Sequence, residues 1–126
     1  MRCKLEERTA ESERHARENA ALNGLDNTRF VAGDVLGSLG EGARPDAPSP
    51  DLAIVDPPRA GLHPKVLSAL LRLAPPRIVY VSCNVHGTAP QVAALVDEGG
   101  YTVERVQPVD MFPHTPHVEC VVALRR

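Results

Sequence analysis

Three polar segments carry the side chains best suited to chemistry, and each follows an apolar stretch. Asp56 begins DPPRAGLHP, Cys83 lies in YVSCN, and Asp34 follows a third stretch. Two prolines make the backbone after Asp56 rigid, because proline fixes its own φ angle. A cysteine between Ser82 and Asn84, where a strand should end, lies where a nucleophile would be exposed. The alternative for Cys83 is an inert buried thiol, since free cysteine packs as a small hydrophobe.

A fourth segment, VDMFPHTPHVE, ends in an acidic residue. Glu119 lies between apolar residues of a predicted strand, so it either faces solvent or is an acid in a cleft. The same region offers nitrogen and sulfur ligands for zinc. Strand alternation turns His117 and Cys120 to opposite faces, however, and no Cys-x-x-Cys pair supports such a site. We therefore expect no metal, although the candidate ligands would be Cys83, His86, His114, His117 and Cys120.

The elements that must position these residues alternate along the chain. Caps, periodicity and proline stops predict helices over residues 9–23, 64–74 and 88–98 and strands over residues 28–32, 51–55, 77–83, 101–109 and 117–124, with a surface loop over residues 41–50. This order predicts an α/β fold with a mostly parallel sheet and a final antiparallel strand. Ligands bind beyond the carboxyl ends of strands in such sheets, so the polar segments are expected to converge.

Composition limits the function classes. The 126 residues suit one domain, 1–126, and 43% hydrophobic with 24% charged residues is typical of a globular chain. A net charge of −2, no Lys/Arg cluster and 3% aromatics argue against a self-sufficient nucleic-acid binder. An odd count of three cysteines favours a reducing, cytoplasmic setting. No apolar run is long enough for a membrane helix, and the charged N-terminus is not a secretory signal.

Taken together and in this order, DPPRAGLHP, YVSCN and VDMFPHTPHVE resemble the catalytic half of the RNA uracil-5-methyltransferase family. That family makes 5-methyluridine in transfer or ribosomal RNA with S-adenosylmethionine. The resemblance covers about residues 7–126 and is strongest from Asp51 onward. It implies a class I, Rossmann-like methyltransferase fold, an RNA substrate, an S-adenosylmethionine cofactor and a reaction in the cytoplasm.

The resemblance also implies roles for individual residues. Cys83 would be the nucleophile that adds to carbon 6 of uracil, and Glu119 the base that removes the proton from carbon 5. Asp56 would contact the cofactor, and Asp34 its adenosine part. Glu7 would bind the ribose hydroxyls, with Glu6 as the alternative.

Two departures from the family pattern affect these roles. Val85 stands where proline is usual, and Pro90-Gln91 where Arg-Asp is usual, so the loop that supports the thiol is altered. The glycine-rich turn after the first strand has no counterpart. We therefore expect the C-terminal part of a catalytic domain, lacking the first strands and binding the cofactor poorly alone. One alternative is a methyltransferase that acts on another position, in which Cys83 would have no catalytic role. The other is a non-catalytic remnant that binds a partner or RNA.

Overall fold

The computed structural model describes residues 3–7, 9–35, 37 and 50–126, with backbone alone for residues 3–7. The chain forms two compact units, residues 1–45 and 46–126. The surface loop predicted over residues 41–50 lies outside the described residues except for Pro50. Among the described residues, no helix is both long and apolar enough to cross a membrane.

The first unit contains strand β1 (Cys3–Glu7), helix α1 (Ala10–Leu22) and strand β2 (Thr28–Ala32). The prediction that the chain opens with a helix is wrong, because β1 precedes α1 and pairs with β2 in parallel. Lys and Glu disfavour strands locally, but cross-strand pairing overrides such preferences. The predicted helix is confirmed with its cap, since the Thr9 side chain accepts a hydrogen bond from the Ser12 amide at 3.0 Å.

The second unit contains two helices and four strands: β3 (Ala53–Val55), α2 (Pro64–Leu73), β4 (Arg77–Ser82), α3 (Val85–Asp97), β5 (Thr102–Val109) and β6 (Glu119–Arg125). Its sheet has the order β3-β4-β6-β5. Strands β3 and β4 are parallel, whereas β6 is antiparallel to both of its neighbours. The predicted α/β fold with an antiparallel final strand is confirmed.

One face of this sheet forms the core. Alternate residues of β4 and β6 are buried in register, so Ile78 faces Leu124 and Tyr80 faces Val122. Helices α2 and α3 contribute Leu70 and Leu95 to the same cluster. The polar residues at the end of β4 and at the start of β6 lie at the edge of this packed layer.

Helix α3 begins three residues earlier than the sequence predicts. Its N-cap is Asn84, whose side-chain oxygen accepts a hydrogen bond from the Gly87 amide at 3.3 Å. An asparagine oxygen satisfies an amide that would otherwise lack a partner in the first helical turn. The interval between β4 and α3 is consequently only two residues long, Cys83 and Asn84.

Candidate active site

Cys83 lies in a short, densely hydrogen-bonded turn, residues 82–84, which we call the cysteine turn. The buried Ser82 hydroxyl oxygen accepts a hydrogen bond from the Asn84 amide at 3.0 Å. The Thr88 hydroxyl of α3 also contacts the Ser82 hydroxyl and lies 2.9 Å from the Asn84 carbonyl oxygen. Cys83 itself is half-buried. The turn is therefore anchored on both sides of a thiol that remains partly accessible.

Asp56 begins the loop that follows β3, residues 56–62, which we call the proline loop. Val55, the last residue of β3, pairs with Tyr80 of the parallel strand β4. Asp56 is exposed and lies at the carboxyl end of β3, as the sequence predicts. Gly61 closes a turn by donating its amide to the Pro58 carbonyl at 2.8 Å, and its φ angle of 80° favours glycine.

Side chains of α3 and its cap tie the proline loop to the cysteine turn. The Asn84 side-chain amide donates to the Arg59 carbonyl oxygen at 3.0 Å. Seven residues along the chain, the Gln91 side chain bonds both backbone groups of Leu62, at 2.9 Å each. Tyr80 donates its hydroxyl to the same Gln91 oxygen at 2.6 Å. Burial raises the pKa of Tyr80 above its ordinary value, which favours the protonated hydroxyl that donates this bond.

Strand register brings Glu119 to the same edge. Ser82 of β4 pairs with Cys120 of β6, and both are buried. Cys83 directly follows the first of these residues, and Glu119 directly precedes the second. The two candidate catalytic residues therefore occupy neighbouring positions at one end of adjacent antiparallel strands. Glu119 is half-buried and pairs along the backbone with Val109 of β5.

The connection between β5 and β6, residues 110–118, lies at this edge as well. The Arg59 guanidinium lies 3.3 Å from the His117 ring nitrogen Nδ1. A guanidinium has no acceptor, so it is the donor and Nδ1 accepts. This contact joins the proline loop to a residue only two positions before Glu119. Both side chains are exposed.

The first unit carries the other two predicted cofactor contacts. Glu7, the last residue of β1, pairs with Ala32, the last residue of β2. Because the strands are parallel, Glu7 and Asp34 lie beyond the same edge of this two-stranded sheet. Asp34 is exposed, and its carbonyl oxygen accepts a hydrogen bond from the Gly37 amide at 2.9 Å. The side chains of Glu6 and Glu7 lie outside the described residues.

The structure thus groups Asp56, Cys83 and Glu119 in the second unit, and Glu7 and Asp34 in the first. In the part of the chain that the structure describes, no three His, Cys, Asp or Glu side chains form a group that could hold a metal ion. The sequence did not indicate that Gln91 supports the proline loop, because in the sequence this residue stands out only as a departure from the family motif. The neighbouring Gly61 was the available signal, since a glycine in a proline-rich turn indicates close packing or a positive φ angle.

Comparison with known proteins identifies the family. The family model for tRNA (uracil-5-)-methyltransferase matches residues 49–126. The chain belongs to this family. An uncharacterized RNA methyltransferase of Clostridium tetani is 50% identical over 111 residues, which are 88% of this chain and 23% of that protein. The chain therefore spans about a quarter of the length of the curated relatives it matches.

Solved structures agree with the family and the fold. The tRNA (uracil-54, C5)-methyltransferase of Pyrococcus abyssi, in complex with S-adenosyl-L-homocysteine, superposes with a TM-score of 0.80 at 37% identity over 98% of this chain and 28% of that chain. Precorrin-6y C5,15-methyltransferase of Geobacter metallireducens gives 0.67 at 17% identity over 99% of this chain and 67% of that one. This second likeness concerns the fold alone. The expected class I methyltransferase fold, in a partial-length chain, is confirmed.

Proposed function

We propose that this chain carries the nucleophile and the base of an S-adenosylmethionine-dependent enzyme that methylates carbon 5 of a uridine in transfer or ribosomal RNA. Membership of the uracil-5-methyltransferase family supports the reaction class. The observation that carries the proposal is the pairing of Ser82 with Cys120, which leaves Cys83 and Glu119 at neighbouring strand ends.

The chemistry of uracil explains why a thiol and a carboxylate are needed together. The Cys83 sulfur, as thiolate, forms a bond to carbon 6, and the displaced electron pair moves to the carbonyl oxygen at carbon 4 as an enolate. Carbon 5 then becomes nucleophilic enough to accept a methyl group. Glu119 removes the remaining proton from carbon 5, the double bond between carbons 5 and 6 re-forms, and the thiolate leaves.

S-adenosylmethionine, when bound, supplies the electrophilic methyl group. Taken unit by unit, the residues present fit such a group: in the second unit the exposed Asp56 follows the carboxyl end of β3, and in the first the exposed Asp34 lies just after β2. Carboxylates accept hydrogen bonds from hydroxyl and ammonium groups, both of which this cofactor offers. We assign Asp56 and Asp34 to cofactor binding, and Glu7 to the ribose hydroxyls with Glu6 as the alternative.

A covalent-trapping assay tests the proposal. Because the chain alone is expected to bind the cofactor poorly, it is incubated with a large excess of S-adenosylmethionine and with RNA that contains 5-fluorouridine, in which fluorine replaces the hydrogen that Glu119 would remove. A denaturing gel should show a slowly migrating protein–RNA band. Cys83→Ala should lower the yield at least about a thousandfold, because the bond-forming atom is gone.

Cys3→Ala is the matched control, since it removes another thiol and should leave the band unchanged. A band that survives in Cys83→Ala contradicts the assignment of the nucleophile. No band with the unmodified chain contradicts the proposal that this chain performs the chemistry. Methylated RNA without a Cys83-dependent band would point to a methyltransferase that acts at another position.

A further inference from the structure

The side chain of Gln91 occupies a central position between the two motif loops. Its oxygen Oε1 accepts from the Leu62 amide at 2.9 Å and from the Tyr80 hydroxyl at 2.6 Å, while its nitrogen Nε2 donates to the Leu62 carbonyl at 2.9 Å. We call these groups the glutamine clamp. The clamp joins the end of the proline loop, the middle of β4 and the second turn of α3.

The chemistry of the clamp requires a carboxamide. Leu62 offers one donor and one acceptor, and Tyr80 adds a second donor. A carboxamide can bond all three groups, because its oxygen accepts from the two donors and its nitrogen donates to the carbonyl oxygen. A carboxylate of the same size turns an oxygen toward the Leu62 carbonyl oxygen, and the repulsion between these two oxygens also weakens the bond that the Leu62 amide donates. The residue type at position 91 is therefore tied to a specific hydrogen-bond pattern.

Close packing around the clamp is a second, independent observation. A Cβ atom added to Gly61 would lie 2.7 Å from Nε2 of Gln91. The proline loop thus approaches α3 as closely as a backbone without a side chain allows. Tyr80, the other partner, is fully buried in β4 and lies three residues before Cys83, which directly follows that strand.

We propose that Gln91 is a positioning residue that holds the proline loop against the cysteine turn. The assignment of a catalytic purpose to this contact rests on the proposed function. The clamp secures Leu62 at one end of the loop, and β3 secures Val55 directly before Asp56 at the other. Between them, Arg59 contacts the Asn84 side chain through its carbonyl oxygen and the exposed His117 ring through its guanidinium. Without the clamp, the residues that follow Asp56 are held by these two bonds at Arg59 and by the packing of the Leu62 side chain against the core.

Gln91→Glu tests the proposal, because it preserves size and removes one hydrogen bond. Gln107→Glu makes the same chemical change at an exposed site on β5 and is the matched control. Amide hydrogen exchange should accelerate about tenfold at Leu62 in Gln91→Glu, while the amide of Val122 in the core strand β6 is unchanged. The rate at which iodoacetamide modifies Cys83, followed by peptide mass spectrometry, should rise as well.

Acid provides a direct test of the hydrogen bond to the Leu62 carbonyl oxygen. In Gln91→Glu, the protonated form of the new carboxyl group carries an O–H that can donate to the Leu62 carbonyl. Leu62 protection should therefore return when the pH falls below the pKa of that carboxyl group. If Gln91→Glu fails to fold, Gln91→Asn provides the same exchange and alkylation readouts with a neutral side chain too short to reach both groups.

Three results would overturn the proposal: unchanged exchange at Leu62, equal acceleration at Leu62 and Val122, or unchanged alkylation of Cys83. These readouts use no RNA, so they are independent of the uracil chemistry. A chain that forms no adduct with 5-fluorouridine RNA but loses Leu62 protection in Gln91→Glu retains the clamp and refutes the proposed function. A chain that forms the adduct but shows no change at Leu62 in Gln91→Glu supports the proposed function and refutes the role of the clamp.

Discussion

Cys83 and Glu119 reach one edge of the sheet from segments of opposite character. The cysteine turn is half-buried or buried, and the Ser82, Asn84 and Thr88 side chains hold it. Residues 110–118, which lead to Glu119, are exposed. Within them, Thr115 supplies side-chain contacts at 2.7 Å to the Phe112 carbonyl and 3.3 Å to the His117 amide.

This difference indicates two ways of placing a reactive group. Cys83, the proposed nucleophile, is held by a local network that joins a strand to the helix after it. Glu119, the proposed base, depends on the register between β4 and β6, which buried pairs such as Tyr80 with Val122 specify. A one-residue slip would turn Glu119 to the other face of the sheet, so register holds it in place. The connection before it can vary without moving it.

The largest expected effect separates the chemical roles of the two residues. In Glu119→Gln the thiol can still add, but no base removes the carbon-5 proton. Turnover should fall about 10²–10⁴-fold, while a covalent adduct with ordinary uridine RNA accumulates. Denaturing gels and methyl transfer measured together would show this. Glu104→Gln, an exposed change on β5, should behave as the unmodified chain does. Rapid turnover in Glu119→Gln would remove this residue from the mechanism.

The next effect tests whether the cysteine turn is as firmly held as its contacts indicate. Asn84→Ala removes the cap of α3 and the bond to the Arg59 carbonyl. The free energy of unfolding of the second unit should fall by about 1–2 kcal/mol. Urea titration followed by tyrosine fluorescence reports this unit alone, because both tyrosines lie in it. Asn23→Ala, at the end of α1 in the first unit, should leave that signal unchanged.

Alkaline titration examines the buried layer beneath the turn. Burial raises the pKa values of Tyr80 and Tyr101 above the ordinary 10.0. Their unfolded forms therefore ionise first, so their contribution to stability is complete below the unfolded pKa and is lost as the pH rises through the folded values. Absorbance at 295 nm should show tyrosinate appearing together with loss of circular dichroism. Ionisation near the ordinary pKa with an intact fold would contradict this.

The smallest effect is expected in the exposed connection. Thr115→Ala removes its side-chain contacts in exposed surroundings and should change the free energy of unfolding by less than about 0.5 kcal/mol. Thr88→Ala is the matched change in the buried network and should cost about 1–3 kcal/mol. Equal losses in the two variants, measured by urea titration, would mean that the connection is as important to the fold as the turn.

Much of the fold was predictable because its signals are local. Thr9 caps α1, Pro64 begins α2, and a nearly continuous apolar run marks β4, as the sequence indicates. β1 was not predictable, because its charged residues become a strand only by pairing with β2. The early start of α3 was missed because Asn84 was considered beside the thiol rather than as a helix cap.

The candidate site divides in the same way. Cys83, Glu119 and Asp56 were predicted from residue type and motif. The strand register places all three at one edge of the sheet. The support from Gln91 was not predicted, because its partners, Leu62 and Tyr80, are 29 and 11 residues away. In the sequence, Pro90-Gln91 in place of Arg-Asp is only a departure from the family motif. In the structure, the carboxamide of Gln91 holds the proline loop through the backbone of Leu62.

The amino-acid sequence by itself determined the family, the α/β class and the candidate nucleophile and base, because these depend on residue types in a fixed order. Only the tertiary structure decided that β6 lies between β4 and β5, so that the residue before Cys120 adjoins the residue after Ser82. It also decided that Gln91 binds the backbone of Leu62 in the proline loop. Both depend on hydrogen bonds between residues far apart along the chain, and spacing in the sequence does not specify such partners.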